Sequence, residues 1–110
     1  MARLIPTVFR LKSKYIDRDA QLLCSNYMDN NSLAVQIVAP RAHETDRSEI
    51  IATISVNVNE SNTLSHNSFF AKNYSENEGI LECLEQLNLI RCINDGVKVG
   101  FTRAPLFELV

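Results

Sequence analysis

Two histidines are the first residues to consider for chemistry, and neither has neighbours that complete a reactive site. His43 lies close to Glu44 and Asp46, which are metal-ligand types, but a metal site needs a further donor and the sequence offers none at a suitable spacing. His66 lies among serines, but a nucleophilic serine needs a base oriented by a third group and an oxyanion hole. We therefore expect no metal, no cofactor and no enzymatic activity.

The cysteines do not suggest a disulfide framework or a zinc site. Cys24, Cys83 and Cys92 are odd in number and lack Cys-x-x-Cys spacing. We expect reduced and mostly buried thiols in the cytoplasm.

The first candidate surface is acidic and lies in a segment predicted to be helical, residues 75–89. A row of carboxylates there could imitate phosphates and occupy a basic, nucleic-acid-binding groove of a partner protein. Its four members are Glu76, Glu78, Glu82 and Glu85. An ordinary solvated helix face is the alternative interpretation.

The second candidate surface is basic and lies in the first eighteen residues. Its cations are Arg3, Arg10, Lys12, Lys14 and Arg18. Phe9 and Tyr15 lie between these cations, so charge and stacking could together bind nucleic acid. Alternatively, the cations protect a solvated edge strand against self-pairing.

The elements that position these residues follow from local patterns. Ser75 followed by Glu78 predicts a capping box at the start of the 75–89 helix, and an apolar stripe predicts that the helix packs by one face. The stripe consists of Ile80, Leu81, Leu84 and Leu87. Loops are expected at 40–48 and 59–67.

Strands account for most of the remaining chain. Pro6 cannot donate to a ladder, so residues 4–12 are expected to form an edge strand. Alternating and β-rich segments predict strands at 21–28, 33–39, 50–58, 69–71, 90–93, 97–101 and 106–110. Residues 94–96 read as an Asp-Gly hairpin turn, and Ala104 with Pro105 as a break before the last strand. The order predicts a single α+β domain over residues 1–110, an antiparallel sheet of five to seven strands with one amphipathic helix on a face.

Composition supports a folded domain. The chain has 110 residues, 45% of them hydrophobic and 22% charged, with a net charge of −2. This balance is typical of globular proteins and argues against strong non-specific nucleic-acid binding. No apolar run is long enough to span a bilayer and no signal peptide is recognisable, so we expect a cytoplasmic protein.

The chain from residue 69 onward resembles a known family. An aromatic-led segment with an asparagine, 69–74, precedes the helix, and the close at 100–109 runs Gly, Phe, Thr, Arg, Ala, Pro, Leu, Phe, Glu, Leu. This arrangement is similar to the small proteins of bacteria, plasmids and phages known as domain of unknown function 4313. The resemblance implies an accessory protein of a phage or mobile element, among which are inhibitors of host defence systems such as CRISPR nucleases.

The sequence therefore favours a non-enzymatic protein that binds a protein partner, such as a nucleic-acid-binding host protein, as a monomer or homodimer. The alternative is a nucleic-acid-binding accessory factor that uses the basic N-terminal segment.

Overall fold

The structure is a computed structural model that describes residues 3–28, 32–40, 49–57, 67–72 and 77–110. Antiparallel strands and one helix make up these residues, which confirms the α+β class. The strands are β1 (Arg3–Leu4), β2 (Phe9–Lys12), β3 (Asp17–Asn26), β4 (Leu33–Val38), β5 (Ile50–Thr53), β6 (Ser55–Val56), β7 (Ser68–Ala71), β8 (Ile90–Val99) and β9 (Thr102–Leu109), and the helix is α1 (Ile80–Gln86).

The first sheet is built around β3, a ten-residue strand. β4 pairs with one side of β3 and β5 follows β4, while β1 and β2 both pair with the other side of β3. The predicted N-terminal edge strand is thus confirmed, although it is divided around Pro6. At this division the Gln21 side-chain amide donates to the carbonyl oxygens of Ile5 and Pro6, at 3.3 and 3.2 Å.

The second sheet has the order β6, β7, β9, β8. Its inner face is aromatic: Phe69 of β7 lies opposite Phe107 of β9, and their rings stack with centroids 6.3 Å apart. The brief strand predicted at 69–71 is confirmed as β7, whose four residues are all buried.

Ile54 joins the two sheets. Its N–H donates to the carbonyl of Val35 in β4 at 3.0 Å, and its own carbonyl accepts from Lys72, just after β7, at 2.8 Å. The predicted continuous strand over 50–58 is therefore wrong in one respect, because the chain leaves the first sheet at this residue and enters the second. The expected alternation also fails after it: Ser55 is buried and accepts a hydrogen bond from the Val35 N–H at 2.9 Å.

One hydrophobic core is shared by both sheets and the helix. The fully buried side chains include Leu11 of β2, Leu22 of β3, Val35 and Ile37 of β4, Ile54 of the crossover, Phe69 of β7, and Ile80, Leu81 and Leu84 of α1. Burial of apolar side chains on this scale is the main favourable contribution to folding. The helix contacts both β2 and β8, so it lies between the outer strands of the two sheets.

The helix is shorter than predicted. It begins after Gly79, whose φ of 88° only glycine adopts readily, and it ends at Gln86 rather than near residue 89. The capping box is wrong, because Glu78 precedes the helix and its carboxylate binds Lys14; Ser75 lies outside the described residues. The amphipathic pattern is confirmed for Ile80, Leu81 and Leu84, whereas Leu87, just after the helix, is 44% exposed.

The predicted hairpin turn at 94–96 is wrong. Residues 90–99 form one strand, and two register shifts, between Cys92 and Asn94 and between Asn94 and Val97, absorb the Asn-Asp-Gly segment as bulges. Gly96 is required there, because a Cβ on it would lie 1.7 Å from the carbonyl oxygen of Ala104. The glycine that suggested a turn instead allows two backbones to approach closely.

The predicted break at Ala104 and Pro105 is also wrong, because β9 runs through both residues. Pro105 falls between the paired residues Ala104 and Leu106, opposite the bulged part of β8, where the ladder is already interrupted. The turn lies at Gly100 and Phe101 instead, between the paired residues Val99 and Thr102.

The hairpin predicted from 21–28 and 33–39 is confirmed by the pairing of β3 with β4. Of the loops expected at 40–48 and 59–67, residues 41–48 and 59–66 lie outside the described residues. Within the described ranges, the helix is too short to cross a membrane.

Candidate interaction surfaces

The helix is fixed against the first sheet by polar contacts as well as by its apolar face. The Cys83 thiol lies on the outer edge of β2, where it accepts from the Lys12 N–H at 3.4 Å and donates to the Arg10 carbonyl at 3.7 Å. Just before the helix, the buried Asn77 amide donates to the carbonyls of Thr53 and Lys72, at 2.8 and 3.3 Å. Both contacts orient α1 so that its outer face points to solvent.

The acidic surface is smaller than the sequence predicted. Glu82 and Glu85 lie on the exposed face of α1, as expected. Glu78 does not belong to that row, because it precedes the helix and pairs with Lys14, with Nζ and Oε2 3.2 Å apart. Glu76 lies outside the described residues.

A third exposed carboxylate, Asp95, lies on β8, the strand of the second sheet that α1 contacts. Cys92 of the same strand has a thiol pKa that is raised first by partial burial and then by the negative charges of Glu85 and Asp95. Helix and hairpin therefore both supply carboxylates around this thiol. We call Glu82, Glu85 and Asp95 the acidic surface from here on. Asp95 could not be recognised from the sequence, because an Asn-Asp-Gly segment is typical of a tight turn rather than of a strand.

The basic N-terminal surface is largely neutralised by neighbouring carboxylates. Arg10 pairs with Asp17 and Asp19 across the β2–β3 hairpin, at 2.8 and 3.4 Å. These hydrogen bonds and charges, led by the bond to Asp17, raise the pKa of the Arg10 guanidinium. Arg18 pairs with Glu49 at 2.8 Å.

Of the other three cations of that surface, only Lys14 pairs with a carboxylate that the structure describes. Lys14 is held by Glu78, whose hydrogen bond and charge raise the pKa of the Lys14 ammonium. Arg3 and Lys12 form no salt bridge with any residue that the structure describes. Of the two aromatic residues that could stack on bases, Phe9 is buried in the core.

The three cysteines are free thiols, but only Cys24 is buried. Cys83 is partly exposed and Cys92 is exposed, so the expectation of mostly buried thiols is wrong. Burial raises the pKa of the Cys24 thiol, and the nearby Arg3 opposes this effect.

In the described part of the chain, no three histidine, cysteine or acidic side chains are grouped to hold a metal ion. His43, Glu44, Asp46 and His66 all lie outside it. The described charges thus lie in two places, with exposed carboxylates on α1 and β8 and ion pairs between β2 and β3.

Comparison of the chain with known proteins identified no relative. No family model matches the chain, and neither the curated proteins nor the solved structures include a match. The resemblance of residues 69–110 to domain of unknown function 4313 stays a prediction.

Proposed function

We propose that this protein acts without catalysis, by binding another protein through the acidic surface. The observation that carries the proposal is a contrast in charge pairing. The cations Arg10, Lys14 and Arg18 are matched by carboxylates of the same molecule. By contrast, Glu82, Glu85 and Asp95 form no salt bridge among the described residues.

The spacing of the two helix carboxylates supports this proposal. Glu82 and Glu85 are three residues apart on a helix of seven residues, so they are neighbours on its surface. Like charges at this spacing destabilise a helix by about 0.2–0.5 kcal/mol. A cationic partner removes that repulsion when it binds, which favours the complex over the free protein.

The chemistry of the partner follows from the surface. Carboxylates from two elements present several negative charges on a rigid frame, and a basic groove that normally holds phosphates would accept them. The partner we propose is a nucleic-acid-binding protein of the host. Inhibition of a defence nuclease, which the family resemblance implies, is the narrower form of the same proposal.

The proposal is tested by affinity capture with matched baits. The wild-type protein and the Glu78→Gln variant, which loses an acid already held by Lys14, should recover the same stoichiometric partner from a lysate of the cells that carry the gene. The double variant Glu82→Lys, Glu85→Lys should recover less than a tenth as much, and heparin should displace the partner from the wild type. Capture of no stoichiometric partner, or equal capture by the double variant, contradicts the proposal.

The alternative function, nucleic-acid binding by the N-terminal cations, has less support. Three of its five cations are already held in ion pairs, so few counterions remain to be released on binding. Charge reversal at Arg10, Lys12 and Lys14 is expected to leave DNA and RNA binding unchanged in titrations at two salt concentrations.

A further inference from the structure

We infer that the tip of the β8–β9 hairpin is a second binding site, for single-stranded nucleic acid. The site consists of Lys98, Phe101 and Arg103, which we call the hairpin tip. It shares no residue with the acidic surface and lies outside the N-terminal segment. The inference therefore goes beyond the proposed function and does not depend on it.

The first observation is an aromatic side chain in an unusual position. Phe101 is fully exposed at the turn of the hairpin, where a polar residue is the usual choice. Gly100 precedes it with a φ of 61°, the positive value that the first central position of a two-residue turn requires. Gly100 thus provides the positive φ that the turn needs. Phe101 occupies the second central position, where its ring is exposed to solvent.

The second observation is a pair of like charges. Lys98 and Arg103 are directly opposite each other in the ladder, and both are exposed. Side chains in such a pair have Cβ atoms about 4.5–5.5 Å apart, and like charges there destabilise the hairpin. An anion bound between the two side chains would remove this repulsion.

No carboxylate in the described ranges forms a salt bridge with either cation. Of the two acids of the hairpin itself, Glu108 pairs with Arg91, and Asp95 lies in the bulged part of β8 without a salt bridge to either cation. The hairpin tip is therefore a cationic position with its charge still available, unlike Arg10, Lys14 and Arg18.

The hairpin holds these groups in place. Gly96 packs directly on the backbone of Ala104, and the Thr102 hydroxyl donates to the carbonyl of Val99 at 3.1 Å, just below the turn. A binding group that is ordered before contact loses less conformational entropy on binding.

Single-stranded nucleic acid fits this arrangement better than an acidic protein does. Two phosphates of one strand can accept hydrogen bonds, one from Lys98 and the other from Arg103, and an adjacent base can stack on the ring of Phe101. An acidic peptide satisfies the two charges but gives the exposed ring no flat partner. The exposed aromatic ring at the turn, next to a pair of cations in the ladder, is thus the feature that distinguishes the two ligands.

A titration of the ¹⁵N-labelled protein with a twelve-nucleotide oligothymidylate tests the inference. Chemical-shift changes should concentrate at residues 97–104. With two phosphate contacts, the slope of log Kobs against log salt concentration should be about −1.4, and the Lys98→Gln variant should reduce it to about −0.7. The Phe101→Ala variant should bind about 5- to 150-fold more weakly, the equivalent of one lost base stack.

Matched controls separate the tip from general surface effects. Met28→Ala removes another fully exposed apolar side chain, and Lys12→Gln removes another cation without an ion pair among the described residues. Both should bind the oligonucleotide as the wild type does. The inference is overturned if the oligonucleotide moves no signal at the tip, if Phe101→Ala binds as tightly as the wild type, or if polyglutamate binds the tip with equal affinity.

Discussion

The strand pair β3–β4 and the hairpin β8–β9 have similar topology but opposite relations to solvent. In β4 every residue except Gln36 is buried, whereas in β8 only Ile90 is buried. β4 also contacts β6 and β7, so it belongs to the region where the two sheets meet. In β9 only Ala104 and Phe107 are buried, and, apart from Ile90, the other residues of the second hairpin are half-buried or exposed.

This difference indicates a division of roles. The β3–β4 region contributes apolar burial, which holds the two sheets and the helix together. The β8–β9 hairpin contributes fewer core residues and instead carries Asp95 of the acidic surface and all three residues of the hairpin tip, while α1 carries Glu82 and Glu85. Substitutions in the first region should therefore change stability, and those in the second should change binding.

The largest effect is expected at the crossover between the sheets. Ile54→Ala removes a fully buried side chain at the junction of β4 and β7, and such substitutions cost about 2–5 kcal/mol of unfolding free energy. Urea denaturation measures the loss. The matched control is Ile93→Ala in the exposed hairpin, where we expect a change of no more than about 0.5 kcal/mol. Equal losses for the two variants would contradict the division of roles.

An intermediate effect is expected at two glycines of the hairpin. Gly96→Ala would bring a Cβ against the carbonyl of Ala104 at a φ of 71°, so the ladder must shift. Gly100→Ala has open space around it and faces only the strain of a φ of 61°, which costs about 1–2 kcal/mol. Thermal unfolding should show a larger loss for Gly96→Ala. If Gly100→Ala were the more damaging of the two, the bulge geometry would be wrong.

The smallest effect is expected on the pKa of the Cys92 thiol, and it tests whether Asp95 lies close to that thiol. Because nearby carboxylates contribute to its raised pKa, Glu85→Gln and Asp95→Asn should each lower that pKa and increase the rate of alkylation at pH 8. Mass spectrometry of the alkylated protein follows Cys92 separately from Cys24 and Cys83. Asp19→Asn in the β2–β3 hairpin is the control, because Asp19 does not contribute to the pKa of Cys92. It should leave the alkylation rate of Cys92 unchanged.

The raised pKa of the Cys92 thiol also makes the free energy of unfolding depend on pH. A folded-state pKa above the unfolded value means that the folded state holds the proton more tightly, so the contribution is complete below the unfolded thiol pKa. The contribution is lost as the pH rises through the folded pKa. Denaturation midpoints should therefore fall less steeply in alkaline buffer for Cys92→Ala than for the wild type.

The sequence predicted the strands whose signal is local and missed features that depend on distant partners. The β3–β4 hairpin, the edge position of Pro6 and the brief strand β7 followed from alternation and residue type. The role of Gly96 did not, because an Asp-Gly pair is typical of turns and only the approach of Ala104 makes it a bulge. The helix start also depends on distant groups, since Lys14 binds the glutamate that was assigned to a capping box.

In the candidate surfaces too, the features that depend on distant residues could not be predicted from the sequence. Glu82 and Glu85 were predicted from helical periodicity, which is a local property. The neutralisation of Arg10 by Asp17 and Asp19 requires the register of β2 against β3, and the position of Asp95 requires the register of β8 against β9. Neither register is encoded in a short window of sequence.

The most direct test of the account is a hydrogen-exchange footprint of the protein with its captured partner. The acidic surface predicts that binding slows amide exchange in α1 and in residues 92–96 of β8, while β3 and β4 exchange as in the free protein. Protection confined to β1, β2 and β3, with α1 and β8 unchanged, would contradict it.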